Sequence, residues 1–67
     1  MPYYYLLIKW PELNEWSIEF GDYDKETVVD ERLSYLDSYD LRKRQTKILK
    51  CEDDSKEAFE AALAGTA

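Results

Sequence analysis

The spacing of apolar positions changes twice along this chain, and the changes divide it into strands and helices. Tyr3 to Trp10 is a nearly unbroken run of aromatic and branched side chains, the composition of a strand with both faces partly covered. Pro11-Glu12-Leu13-Asn14 supplies turn formers over a length common in hairpins. Trp16, Ile18 and Phe20 then alternate with Glu15, Ser17 and Glu19, which predicts a second strand over Glu15 to Gly21 with one apolar face. On this reading Tyr4, Leu6, Ile8 and Trp10 join Trp16, Ile18 and Phe20 on the core side. Tyr3, Tyr5, Leu7 and Lys9 face the other way. Gly21 relieves the backbone at the strand exit, and Asp22 or Asp24 accepts hydrogen bonds from the free N–H groups of the next element.

From Lys25 the period lengthens. Val29, Leu33 and Leu36, with Val28, Tyr35 and Tyr39 beside them, recur at three and four residues, as an amphipathic helix requires. Asp24 is the expected N-cap and Glu26 complements the helix dipole. The pattern fades near Tyr39 into a connection that runs to Gln45. Thr46 to Cys51 reads as a short strand with Leu49 and Cys51 on the core face and Ile48 on the other. Glu52 to Ser55 stops it, and Asp54 with Glu57 three positions on has capping-box spacing. Ala58, Phe59, Ala62 and Leu63 form the buried stripe of a last helix, which Gly65 ends.

The order β-β-α-β-α predicts one α+β domain over residues 1–67, with both helices on one face of a three-stranded sheet. A crossover from the second strand to the third places the first strand in the centre, order 2-1-3, with antiparallel seams on both sides. The far face then shows Tyr3, Tyr5, Leu7 and Ile48 as a contiguous apolar patch, the kind of surface that marks an interaction site.

Sixty-seven residues are close to the lower limit for a self-sufficient core, so association with a partner would help this chain. Fifteen acidic against nine basic residues leave a net charge of −6, which disfavours nucleic-acid phosphates and anionic membranes and favours a basic partner. The N-terminal apolar run lacks a basic leader and is too short to span a bilayer. With a single cysteine, Cys51, there is no internal disulfide, and a cytoplasmic protein is expected.

Chemical motifs are mostly ruled out. The chain has no histidine, so neither a Ser-His-Asp nor a Cys-His device can be built. Cys51 on a strand beside Leu49 reads as a small buried hydrophobe. Asp22-Tyr23-Asp24-Lys25-Glu26 looks like the start of a calcium loop, but Thr27 and Leu33 stand where a glycine and a bidentate glutamate are required. No enzyme activity, metal or cofactor is expected. Arg42, Lys43, Arg44, Lys47 and Lys50 gather five of the nine basic residues. They read as partners for the end of the first helix and for neighbouring carboxylates, and direct nucleic-acid binding through them ranks last among binding roles.

The acidic surface carries the functional expectation. Asp22, Asp24, Glu26, Asp30 and Asp37 form a row from the loop down the outer face of the helix, advancing about 6 Å per four residues. Such a row imitates the charge spacing of a nucleic-acid strand and suits a basic groove. The bland reading is a solvated face that keeps a small protein soluble. Tyr3 and Tyr5 are the apolar contacts expected on the second surface. The run from Tyr4 to Trp10, followed by Trp16-Ser-Ile-Glu-Phe20-Gly21-Asp22-Tyr23-Asp24 and on to Val28, resembles the small acidic open reading frames of bacteriophages and prophages. Proteins of that kind include anti-CRISPR proteins, and the resemblance implies an inhibitor that binds a host complex stoichiometrically. The alternative is a homodimeric accessory module that packs sheet to sheet through Tyr3, Tyr5, Leu7 and Ile48.

Overall fold

The computed structural model describes residues 1–66. Strand β1 (Tyr3–Trp10) is followed by β2 (Glu15–Asp22), helix α1 (Lys25–Ser38), a single 3-10 turn (Lys43–Gln45), β3 (Thr46–Cys51) and helix α2 (Lys56–Thr66). The sheet order is β2-β1-β3 with both seams antiparallel. The fold is therefore α+β with the expected strand order and element sequence. Between β1 and β2, the amides of Leu13 and Asn14 both donate to the Trp10 carbonyl, at 3.1 and 2.9 Å. Asn14 takes the left-handed conformation, φ 53°, which asparagine tolerates better than most residues.

The helices lie on opposite faces of the sheet, which corrects the expected arrangement of both on one face. Leu6, Ile8 and Val28 form one buried cluster, with Tyr4, Trp10, Phe20, Tyr35, Leu41 and Ile48 packed around it beneath α1. Leu7, Leu49 and Cys51 form a second, covered by Ala58, Phe59 and Ala62 of α2 and flanked by Tyr5. The overall extents of 31 × 24 × 14 Å agree with three layers. Ile48 pairs with Leu6 and so faces α1, while Leu49 pairs with Tyr5 and faces α2, because directly opposed residues share a face. Two thin half-cores, each with three buried hydrophobic residues, replace a single deeper one.

A bulge decides what β2 shows to each side. Leu6 pairs with Phe20 but Leu7 pairs with Ile18, so Glu19 is an extra residue on β2. Phe20 consequently points toward α1, whereas Ile18 and Trp16 pair with Leu7 and Lys9 and point to the α2 side. The expected common face of Trp16, Ile18 and Phe20 does not form. Glu19 Oε2 accepts a 2.9 Å hydrogen bond from the Trp10 indole, which holds the irregularity in place on the α1 side.

Gly21 acts through close approach. Its φ is not positive, and a Cβ built there would lie 2.8 Å from the Tyr3 ring. The bare backbone gives that ring room to lie over the edge strand, a cross-strand arrangement known to stabilise strand glycines.

Candidate interaction surfaces

Helix α1 is capped by the residues that the sequence row began with. Asp24 is the N-cap: its Oδ1 accepts from the Glu26 amide at 3.1 Å and its Oδ2 from the Thr27 hydroxyl at 3.1 Å. Asp22 Oδ1 accepts from the Asp24 amide at 2.8 Å. These two carboxylates satisfy backbone donors that the helix start would leave open. They sit at its mouth and do not continue the outer face.

Glu26, Asp30 and Asp37 do share that face. At about 100° per residue they fall within about 40° of one another, on the side of α1 opposite Val28 and Tyr35, and the strip they define is about 16 Å long. All three are exposed, and among the described residues no basic side chain pairs with them. Arg32 instead donates from Nε to Thr46 Oγ1 at 2.7 Å. Leu33 lies in the same strip and is 57 % exposed, contrary to its expected place in the buried stripe. The inward stripe of α1 is Val28 and Tyr35, and Tyr39 at the C-cap touches Trp10 and Tyr35 while staying 58 % exposed. Trp10 supports this rotation, meeting Tyr39 edge to face at 5.2 Å and Tyr35 at 6.3 Å, with the two tyrosines stacked at 5.5 Å. Sequence periodicity alone marked Leu33 as core, and it lies outside because Val28 and Tyr35, on the opposite side of the helix, are the residues packed into the α1 cluster.

Tyr3 and Tyr5 are engaged inside the molecule. A run of edge contacts joins Tyr23 to Tyr3 at 4.6 Å, Tyr3 to Tyr5 at 4.9 Å and Tyr5 to Phe59 of α2 at 4.9 Å. Leu7 is only 2 % exposed under α2, and Ile48 lies on the α1 face. The expected open patch of Tyr3, Tyr5, Leu7 and Ile48, and the sheet-to-sheet homodimer built on it, therefore lose their surface. The apolar exposure on that side belongs to β2, where Trp16 and Ile18 remain 39 % and 52 % exposed. The Lys47 ammonium sits 4.7 Å from the centre of the Trp16 ring, within cation–π range.

The basic run from Arg42 to Lys50 is not one patch. Arg42, Lys43 and Arg44 are exposed around the 3-10 turn, and the last turn of α1 holds no basic residue. Lys47 points to the α2 side, and Lys50, which pairs with Tyr4, points to the α1 side. Alternation along β3 splits what the sequence gathers.

The titration behaviour follows this packing. Burial raises the Tyr5 hydroxyl above its ordinary value, with Tyr3, Cys51, Asp54 and Asp53 adding to it. A hydrogen bond to Asp54 is the largest cause raising Tyr23, and burial raises Tyr35. The Cys51 thiol is pushed up by burial and then by Asp53, which favours the inert thiol over the thiolate. Asp53 is lowered by hydrogen bonds from the Ser55 hydroxyl and amide. Among the described residues no group of three or more His, Cys, Asp or Glu side chains could hold a metal ion, and no helix is long and apolar enough to cross a membrane.

Comparison with protein-family models, with curated proteins and with solved structures gave no match to this chain.

Proposed function

We propose that this chain is a small acidic binding protein whose α1 outer face seats on a basic surface by which a partner protein holds nucleic acid. The observation that carries this reading is the strip of Glu26, Asp30 and Asp37, exposed and, among the described residues, not ion-paired with a basic side chain. Unpaired carboxylates on a rigid helix keep their long-range field and speed encounter with an oppositely charged groove. Leu33, one turn from Asp30 and from Asp37, supplies an apolar contact within the charged strip. Asp22 and Asp24 contribute charge at one end while remaining committed to the cap. The mode is stoichiometric, needs no cofactor, and agrees with a chain that lacks histidine and buries its one thiol. The resemblance to small phage-encoded proteins is what points to a host defence complex, such as a CRISPR effector in the host cytoplasm, as the partner.

The test is capture from a host lysate on the tagged protein, beside the Glu26→Lys, Asp30→Lys double variant. Both positions are exposed, so the fold is expected to survive, which circular dichroism checks. The reading expects a basic protein held by the wild type, released as salt rises, and lost from the variant. The same proteins captured equally by both forms would remove the acidic strip from any role in binding.

A further inference from the structure

Between the flank of α1 and the edge strand β3 lies a groove of about 390 Å³, lined by Tyr4, Lys25, Val29, Arg32, Ile48 and Lys50. Residues far apart in sequence meet there because Tyr4 and Lys50 are paired across the β1–β3 seam and α1 crosses the same face. Three of the lining residues are cations and none is a carboxylate, in a protein whose net charge is −6. Asp24 and Glu26 flank Lys25 in the chain, but neither lines the groove, so the charged groups a ligand inside it would touch are the three cations.

Arg32 is the oriented member of the set. It is half-buried, and its Nε is fixed on the hydroxyl of Thr46, itself only 7 % exposed, which donates onward to the Lys43 carbonyl at 2.8 Å. Among the described residues no carboxylate pairs with Arg32, so the terminal nitrogens of a planar donor fork are available to a ligand. Lys25 at the start of α1 and Lys50 on β3 are exposed and add mobile ammonium groups from two directions. Tyr4, Val29 and Ile48 supply apolar surface beside these charges. The volume falls within the range of small-molecule sites, which combine apolar walls with a few converging polar groups.

We propose that this groove binds a small organic phosphate, with its phosphate on Arg32, Lys25 and Lys50 and its apolar or planar body against Tyr4, Val29 and Ile48. A phosphate monoester suits three cations better than a carboxylate does. It carries nearly two charges at neutral pH and three acceptor oxygens, and it takes the guanidinium fork bidentately. This site is separate from the outer face of α1, so it stands or falls independently of the partner surface.

The experiment is a two-dimensional amide NMR titration of the full chain at physiological salt, with adenosine 5′-monophosphate, inorganic phosphate and adenosine as probes. Adenosine monophosphate is expected to give saturable shifts confined to Tyr4, Lys25, Val29, Arg32, Ile48, Lys50 and their neighbours. It is expected to bind about tenfold more tightly than inorganic phosphate, with adenosine weaker still, because charge and apolar body act together. The exposed double variant Lys25→Gln, Lys50→Gln keeps the fold and is expected to weaken nucleotide binding about tenfold or more. Absence of saturable shifts with either phosphate, shifts centred elsewhere, equal affinity for nucleotide and bare phosphate, or undiminished binding by the variant would each overturn the proposal.

Discussion

Gly21 and Tyr3 show how a single residue is constrained by one neighbour. The Tyr3 ring packs over the glycine and also makes edge contacts with Tyr5 and Tyr23, so it cannot swing aside without giving those up. Gly21→Ala is expected to cost about 1 kcal/mol or more, the size of the aromatic contacts disturbed, read as a lower urea midpoint. The penalty should shrink when Tyr3→Ala is made first; an equal penalty in both backgrounds would show that the ring is not its source. The sequence identified Gly21 as special but assigned it a backbone role, since nothing in the order of residues reveals that a ring two positions from its strand partner lies over it. The same limit applies to Glu19, whose exchange of a solvent-facing place for a bond to Trp10 is visible only once both strands are paired.

Helix α2 covers the β1–β3 part of one face of the sheet and is held at its start by two short hydrogen-bonding devices. Ser55 Oγ accepts from the Ala58 amide at 3.1 Å and is the N-cap, in place of the expected Asp54. Asp53 Oδ1 accepts from the Ser55 amide at 2.8 Å and fixes the turn before it. Ser55→Ala is expected to cost about 1 kcal/mol through the lost cap. The pH dependence has a definite sign. The folded Asp53 carboxyl lies below its ordinary 3.8, so its support for the α2 start is present above that value. It is lost as pH falls through the lowered folded value. An NMR titration of Asp53 should show the depressed midpoint in the wild type and its return toward the ordinary range in Ser55→Ala, because the hydroxyl is the largest cause of the shift. The helix itself was legible from Ala58, Phe59 and Ala62; it continues through Gly65 to Thr66, so that glycine does not end it. Which face it covers was not legible, because β1 is apolar on both sides and offers a helix two floors.

At the scale of the whole molecule, two thin half-cores share the central strand, and tyrosines close both of them. Tyr5 and Tyr23 lie at the α2 side and its entry turn, and Tyr35 projects from α1 onto the other cluster. All three hydroxyls are raised in the folded state above the ordinary value of 10.0. The fold therefore holds their protons more tightly than the unfolded chain does. Stability is expected to be unaffected by these groups below about pH 10 and to fall as pH rises past that point and through the raised folded values. Urea midpoints followed by circular dichroism across the alkaline range, with phenolate absorbance recorded in parallel, check this; a midpoint flat well above pH 10 would contradict it. By itself the sequence determined the elements, their order, the strand order and the acidic outer face of α1, because these follow from local period, turn chemistry and charge spacing. The tertiary structure alone decided which side each helix takes, where the bulge falls, and that Tyr3 and Tyr5 turn inward while Leu33, Trp16 and Ile18 stay outside. The physical reason is that a strand apolar on both faces fixes its pairing but not its layers, and one extra residue in β2 exchanges the faces of everything on one side of it.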